Sequence, residues 1–180
     1  MQVAPETPDD AWEVEALLDL CFAPGRTMLS SYRLRDGVDP VAPLCLVARA
    51  DGMVAGAIRT WPVGIGADRL ALLVGPVAVH PTRQGEGLGA LLIRALMERG
   101  TDSGAERFLL VGDAPYYGRF GFRNLDGVTM PPPTDPARVL GAGAWDGVAG
   151  PVLRMLEASE TVRTALRRLR RTLDRPISST

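Results

Sequence analysis

Apolar residues are distributed along the 180-residue chain in two patterns, as short continuous runs and as longer periodic ones. The short runs are typical of strands covered on both faces, and they predict strands at residues 44–50, 53–65, 69–79 and 107–111. Asp51-Gly52, between the first two runs, is a two-residue hairpin signal. Gly75-Pro76 interrupts the third run and predicts a break or bulge in strand pairing, because proline cannot donate to a ladder.

The periodic runs predict helices. A first helix is predicted after the capping residue Thr7, with an apolar face of Trp12, Ala16, Leu17, Leu20 and Cys21. A second long helix is predicted over 86–99, ending at Gly100 as a left-handed terminator. The remaining predicted elements are a helix over 27–35, a helical turn over 113–119, a further strand that follows residues 120–123, strands near 138–142 and 150–155, and a last helix over 157–175.

The order of strand, helix and strand over residues 69–111 predicts a right-handed parallel crossover unit. The length of 180 residues suits one compact domain and is too short for two of ordinary size. The sequence therefore predicts a single α/β domain, with no internal repeat and no linker.

The composition excludes several kinds of chemistry. All 20 basic residues are arginine, so Schiff-base chemistry on lysine, a lysine general base and a P-loop lysine are excluded. The single histidine, His80, and the cysteines Cys21 and Cys45 lack metal-type spacing, and no nucleophile elbow is present. Two reduced thiols, with neither a signal peptide nor a membrane span expected, predict a cytoplasmic protein. A net charge of -1 gives no general attraction to nucleic acid or to anionic membrane.

The loop Gln84-Gly85-Glu86-Gly87-Leu88-Gly89 follows a predicted strand and runs into the helix over 86–99. Glycines let the backbone approach an oxyanion closely, and the first N–H groups of a helix are unpaired, so the loop suits a phosphate or pyrophosphate. The loop lacks the lysine of a Walker motif and the spacing of a dinucleotide-binding fingerprint. A glycine turn that merely packs tightly is the alternative at this point.

Two motifs in the right order carry a resemblance to a known family. Gln84-x-x-Gly87-x-Gly89, after the segment 75–81, resembles the acyl-CoA motif of the GNAT superfamily of N-acetyltransferases. The run from Val111 to Phe122 resembles the family's second motif, a short aromatic-rich helix ending in Gly-Phe, and it is most similar to the bacterial acetyltransferases of the YhbS type. The resemblance is strong over 70–125, extends in weaker form over 1–155, and does not include the last helix.

The resemblance implies a layered α/β (α+β) fold, with a mixed sheet of six to seven strands flanked by helices, parallel fourth and fifth strands that splay apart, and an extra C-terminal helix. It implies an N-acyltransferase in which acetyl-CoA is the co-substrate, no metal takes part, and an amine attacks directly in a ternary complex. The backbone N–H of Val79 would polarise the thioester, and Tyr117 would protonate the departing thiolate. The implied cofactor contacts are Val77, Ala78, Val79, Gln84, Gly85, Glu86, Gly87, Leu88, Gly89 and Ala90.

The acceptor side is less determined by the sequence. Arg59 and Trp61 share one face of a strand beside the expected cleft and are candidate acceptor contacts, although a surface arginine and a core tryptophan are the alternative. No carboxylate lies on the central strand to act as a base, so His80, a water chain or an amine that arrives deprotonated all remain open. The expected acceptor is a small-molecule or peptide amine, and a non-catalytic acyl-CoA-binding module is the alternative function.

The last segment is amphipathic and basic, with six arginines and three acids over residues 157–180. Its apolar stripe consists of Val162, Ala165, Leu166, Leu169 and Leu173. We expect it to pack on the domain or on a second subunit in a homodimer, rather than to bind nucleic acid or membrane. This divides the chain into an acyltransferase domain, residues 1–155, and a C-terminal helical segment, residues 156–180.

Overall fold

The computed structural model describes residues 1–22 and 24–175 of the chain. Within these residues, nine strands form a mixed sheet. The strands are β1 (Gln2–Pro5), β2 (Leu46–Ala50), β3 (Met53–Ile65), β4 (Arg69–Val79), β5 (Arg107–Val111), β6 (Arg123–Asn124), β7 (Val128–Thr129), β8 (Val139–Gly143) and β9 (Gly150–Arg154). The helices are α1 (Ala11–Cys21), α2 (Ser30–Arg33), α3 (Leu88–Asp102), α4 (Ala114–Tyr117) and α5 (Glu160–Leu173).

Seven strands follow the order β1-β2-β3-β4-β5-β8-β6, while β9 pairs with the far end of β3 and β7 pairs with β9. β4 and β5 are parallel and are connected by α3, as in the predicted crossover unit. The predicted α/β fold with a mixed sheet is therefore confirmed. The sheet has more strands than the predicted six to seven because β1 and β7 were not predicted, with four and two residues that leave little pattern in the sequence.

Each face of the sheet has its own apolar layer. Leu72 and Val74 of β4 join the cluster that contains the buried side of α3, whereas Ala71 and Leu73 join the cluster on the opposite face. This alternation explains why β4 is apolar at nearly every position, as expected of a strand covered on both faces. The hairpin between β2 and β3 also forms as predicted, with φ of 52° at Asp51 and 80° at Gly52.

The predicted apolar face of α1 is confirmed at Leu17 and Cys21, which pack in the cluster under the helix, and is wrong at three positions. Trp12 is 80% exposed, Leu20 is 56% exposed and Ala16 is also exposed. The buried residues are Val14, Leu17 and Leu18, which pack on the sheet at helical spacing. The helix is preceded by a 3-10 turn over Pro8–Asp10, in which Asp10 accepts the Thr7 N–H at 2.8 Å.

The C-terminal helix α5 packs against β4 of the same chain. Val162 and Leu169 are buried, and Leu166 and Leu173 pack at the margins of the adjoining apolar clusters. Ser159 caps the helix by accepting the Val162 N–H. Of the segment predicted as a separate unit, residues 176–180 lie outside the described residues. The division at residue 155 stays a prediction.

Candidate functional site

The parallel strands β4 and β5 separate in the middle of the sheet. Their register pairs Leu72 with Phe108 and Leu73 with Leu109, and within the described residues it goes no further. The pairing of β4 with β3 shifts by one residue at the same level, since Ile58 lies opposite Val77 but Thr60 lies opposite Val74. This shift confirms the irregularity predicted at Gly75-Pro76. Beyond it a cleft of about 300 Å³ opens between β4 and β5.

Two backbone N–H groups of β4 point into the gap between the strands. His80 donates its N–H to the carbonyl of Ala55 at 2.8 Å, and Val79 lies opposite Gly56. In an antiparallel ladder this arrangement makes Val79 and Gly56 a non-hydrogen-bonded pair, so the Val79 N–H points away from β3. Val77 lies two residues earlier in the same register, and its N–H points the same way. Both groups are thus available to a ligand that occupies the position of a missing strand.

Tyr117 reaches the cleft from the C-terminal end of α4. Its ring contacts Phe122 and Tyr116 edge-on, with centroid distances of 6.1 and 4.9 Å. Burial raises the pKa of the Tyr117 hydroxyl above its ordinary value, Tyr116 and Asp113 add to the rise, and Arg138 opposes it. The hydroxyl therefore stays protonated at neutral pH, which is the form that can donate a proton.

Gly112 leaves the space that the Tyr117 ring occupies. A Cβ placed on Gly112 would lie 2.5 Å from Cε2 of Tyr117, whereas a Cβ on Gly118 would meet nothing within 4 Å. We therefore expect Gly112→Ala to lower the free energy of unfolding by about 1–3 kcal/mol through overpacking. Denaturant unfolding of both variants checks this, with Gly118→Ala as the matched control. Equal stabilities of the two variants would contradict the packing role of Gly112.

The glycine-rich loop forms a second cavity, of about 310 Å³, at the start of α3. Gly85 and Gly87 have φ of 87° and 79°, in the left-handed region that favours glycine. The Leu91 N–H donates to the carbonyl of Gly87, so the N–H groups before it lie ahead of the helical ladder. Of the predicted cofactor contacts, the cavity is lined by Val79, Gln84, Gly85, Gly87, Leu88, Gly89 and Ala90.

The other predicted cofactor contacts lie elsewhere. Glu86 forms an ion pair with Arg83 at 3.6 Å and is not part of the cavity lining. The side chain of Ala78 is buried in the cluster under α1, so only its backbone could meet a ligand. Val77 lies in the first cleft, together with Tyr117. The backbone from Val77 to Val79 thus leads from the first cleft to the glycine loop.

Three residues that line the second cavity were not predicted from the sequence, namely Arg83, Tyr116 and Arg119. The Arg119 guanidinium lies 4.5 Å from the centroid of the Tyr116 ring. The cavity thus offers an anion the Arg119 guanidinium and the Tyr116 hydroxyl in addition to the backbone N–H groups, whereas Arg83 is paired with Asp51 at 2.6 Å and with Glu86. The aromatic-rich run contains Tyr116 and Arg119, but its pattern singles out Tyr117 alone.

Arg59 and Trp61 line a separate groove of about 280 Å³, which shares no residue with the cleft between β4 and β5. Arg59 donates to Glu6 at 2.7 and 2.9 Å and also binds Glu15. Burial alone would lower the pKa of Arg59, but these hydrogen bonds raise it above its ordinary value. Trp61 donates its Nε1–H to the carbonyl of Val38 at 3.1 Å. Both polar groups are therefore already occupied by partners within the chain.

His80 lies outside both cavities. Its Nδ1 lies 2.8 Å from the hydroxyl of Thr82 and accepts the Thr82 N–H, which caps the 3-10 turn over Pro81–Arg83. The described residues contain no group of three or more histidine, cysteine, aspartate or glutamate side chains that could hold a metal ion. Across the same ranges, 1–22 and 24–175, no helix has the length and apolar character needed to cross a membrane.

Comparisons with known proteins agree with this geometry. Residues 11–122 match the sequence model of the Acetyltransferase (GNAT) family. The chain is 32% identical over 124 residues to the uncharacterized N-acetyltransferase YhbS of Escherichia coli (strain K12). The aligned region covers 68% of this chain and 73% of that protein.

Solved structures give the same result. The crystal structure of the E. coli GNAT family N-acetyltransferase YhbS in complex with CoA is similar, with a TM-score of 0.74 and 28% identity, and covers 85% of this chain and 88% of that one. A GNAT family acetyltransferase from Brucella melitensis, in complex with acetyl-CoA, is 32% identical with a TM-score of 0.58, and covers 79% and 96% of the two chains.

Proposed function

The chain belongs to the acetyltransferase (GNAT) family, and on that premise we propose that it transfers an acetyl or other short acyl group from CoA to a primary amine. The observation that carries the proposal is the separation of β4 and β5, which leaves the N–H groups of Val77 and Val79 facing a cleft that leads to the glycine loop. A pantetheine arm would pair with these groups as a strand does.

Acetyl-CoA is the proposed co-substrate. The related structures from E. coli and B. melitensis contain CoA and acetyl-CoA respectively. Here the pyrophosphate would lie on the backbone from Gln84 to Ala90, at the positive end of the α3 dipole. Arg119 supplies positive charge at the same cavity, whereas the charge of Arg83 is balanced by Asp51 and Glu86. The residues that line this cavity can therefore bind the pyrophosphate of acetyl-CoA without a lysine.

Acyl transfer would take place beside Tyr117. The amine nitrogen attacks the thioester carbonyl carbon, the C–N bond forms, the C–S bond breaks, and Tyr117 donates its proton to the departing sulfur. Val77 shares the cleft with Tyr117, whereas Val79 lines the glycine-loop cavity. We therefore assign polarisation of the thioester carbonyl to the Val77 N–H rather than to the predicted Val79, and we keep Val79 as a pantetheine contact.

The proton lost by the amine has no side-chain base in this proposal. Among the described residues that line the cleft, Asp113 is the one carboxylate, and it lies at the N-terminal cap of α4, where it accepts the Tyr116 N–H at 3.3 Å. His80 is used in its own turn. The proposed route is thus attack by an amine that arrives deprotonated or loses its proton to water. The acceptor is a small-molecule or peptide amine, and a cytoplasmic location stays a prediction.

Ligand-dependent stability tests the donor site. We expect acetyl-CoA to raise the thermal unfolding midpoint, because a ligand held at 100 times its Kd adds about 2.7 kcal/mol to the stability of the folded state. ATP and NAD at the same concentration are expected to raise it less, since neither offers a pantetheine to pair with β4. Differential scanning fluorimetry with the three ligands in parallel measures this. Stabilisation by ATP or NAD without stabilisation by acetyl-CoA would contradict the proposed donor.

A further inference from the structure

Arg35 carries a charge that lacks an acidic partner. Its Nε and Nη1 atoms are buried and have no hydrogen-bond partner among the described residues. The guanidinium lies over the rings of Tyr32 and Trp61, at 4.3 and 4.6 Å from their centroids. Burial lowers the pKa of Arg35 to about 10, so the group remains charged at neutral pH. The aromatic rings stabilise the cation, but they leave two of its nitrogen atoms without an acceptor.

The neighbouring arginines are neutralised, which makes Arg35 an exception. Arg26 donates to Glu15 at 2.8 Å and to Asp19 at 2.9 Å. Arg59 is held by Glu6 and also by Glu15. Glu6, Glu15 and Asp19 are thus bonded to other arginines. A buried charge left without a counter-ion is costly, so the absence of a partner for Arg35 is informative.

The position of Arg35 connects this charge to the site of acyl transfer. Arg35, Val77 and Tyr117 line the same cleft. The described lining contains three arginines, Arg26, Arg35 and Arg138, and one acid, Asp113. Arg26 is balanced by Glu15 and Asp19, while Asp113 keeps its negative charge, so Arg35 and the exposed Arg138 are the lining arginines without an ion pair among the described residues. An anionic group close to Arg35 would be attracted to it.

We propose that the acceptor amine carries a carboxylate, and that Arg35 binds this carboxylate while the amine faces the thioester beside Tyr117. Because Nε and Nη1 are enclosed in this structure, the carboxylate would meet the guanidinium at Nη2, where charge and a charge-assisted hydrogen bond favour it. The substrate class is therefore an amino acid, or a peptide or other small molecule with an amine and a free carboxylate. Because this deepens the proposed function of the same cleft, it rests on that function.

Matched pairs of acceptors test the inference. Each pair consists of an amino acid or short peptide and its carboxamide, so that the amine is the same and only the carboxylate changes. We expect wild-type kcat/KM, measured by acetyl-CoA-dependent thiol release, to favour the carboxylates by about 10- to 100-fold, which is the range for one charge-assisted contact. Arg35→Met is expected to remove this preference by lowering kcat/KM for the carboxylate members alone.

Two further variants complete the test. Arg33→Met removes an exposed arginine two residues away and is expected to keep the wild-type preference. Arg35→Lys keeps the charge without the planar fork, and is expected to keep part of the preference even if the methionine variant does not fold. Wild-type turnover that does not distinguish carboxylate from carboxamide, or an equal loss for both members in Arg35→Met, overturns the inference and leaves the proposed function standing. Absence of thiol release with every amine overturns both.

Discussion

Replacing Gly87 with aspartate is expected to lower the affinity for acetyl-CoA by at least about 100-fold, because the new carboxylate would face the pyrophosphate at the start of α3. Two unit charges about 4 Å apart repel by about 4 kcal/mol at an effective dielectric constant of about 20, which alone exceeds a hundredfold. Calorimetry or fluorescence titration with acetyl-CoA measures the loss.

Gly104 provides the matched control for this variant. It follows the C-terminal end of α3, has a φ of 96°, and like Gly87 has open space where a Cβ would lie. Gly104→Asp therefore carries a similar backbone cost, about 1 kcal/mol, without approaching the cavity. Gly87→Asn separates the charge from the conformational change. If Gly87→Asp binds acetyl-CoA as well as Gly104→Asp does, the pyrophosphate does not lie on this loop.

The sequence predicts the centre of the fold well because the physical signals there are local. β4 is buried on both faces, so its apolar run is continuous, and the positive φ values at Asp51 and Gly52 are those that an Asp-Gly hairpin turn requires. The glycine loop is local in the same sense, since it consists of consecutive residues between a strand and a helix. Its position at a cavity follows from the chain order alone.

Gly100 shows where local reasoning fails. It is predicted to end α3, but it lies inside the helix. A Cβ at this position would come within 2.9 Å of the Phe108 ring, so the lack of a side chain lets α3 lie close to β5. The helix runs on to Asp102, and Gly104 is the left-handed residue that follows. Glycine at position 100 thus allows close packing of the helix on β5. The sequence alone does not show which strand packs against the helix. It therefore cannot distinguish a glycine that ends a helix from a glycine that allows close packing.

The residues on the proposed acceptor side of the cleft could not be predicted from the sequence, for a related reason. Arg35 and Tyr32 come from the segment around α2, and Arg138 comes from the turn before β8, so they meet only through the tertiary fold. Arg35 is left without an acidic partner because Glu6 pairs with Arg59, and Glu15 pairs with both Arg59 and Arg26. No spacing in the sequence encodes that competition among side chains from distant segments.

Tyr117→Phe is expected to lower kcat by about 100-fold or more, which is the usual contribution of a positioned general acid, with little change in the Kd for acetyl-CoA. The pH dependence gives a second signature. Only the protonated phenol can donate, so wild-type kcat falls as the pH rises through the pKa of Tyr117. Since burial raises that pKa above its ordinary value, the decline is expected at a more alkaline pH than an exposed tyrosine would give, and the variant should lack it.

Tyr116→Phe provides the contrast because Tyr116 lines the glycine-loop cavity rather than the cleft of Tyr117. Its loss is expected to appear in the affinity for acetyl-CoA, while the loss in Tyr117→Phe appears in turnover. Such a split separates an enzyme from an acyl-CoA-binding module of the same fold, since a module that only binds has no use for a proton donor in the cleft. Unchanged kcat in Tyr117→Phe, with acyl transfer shown to be rate-limiting, would remove Tyr117 from the mechanism and leave water as the proton donor to the departing thiolate.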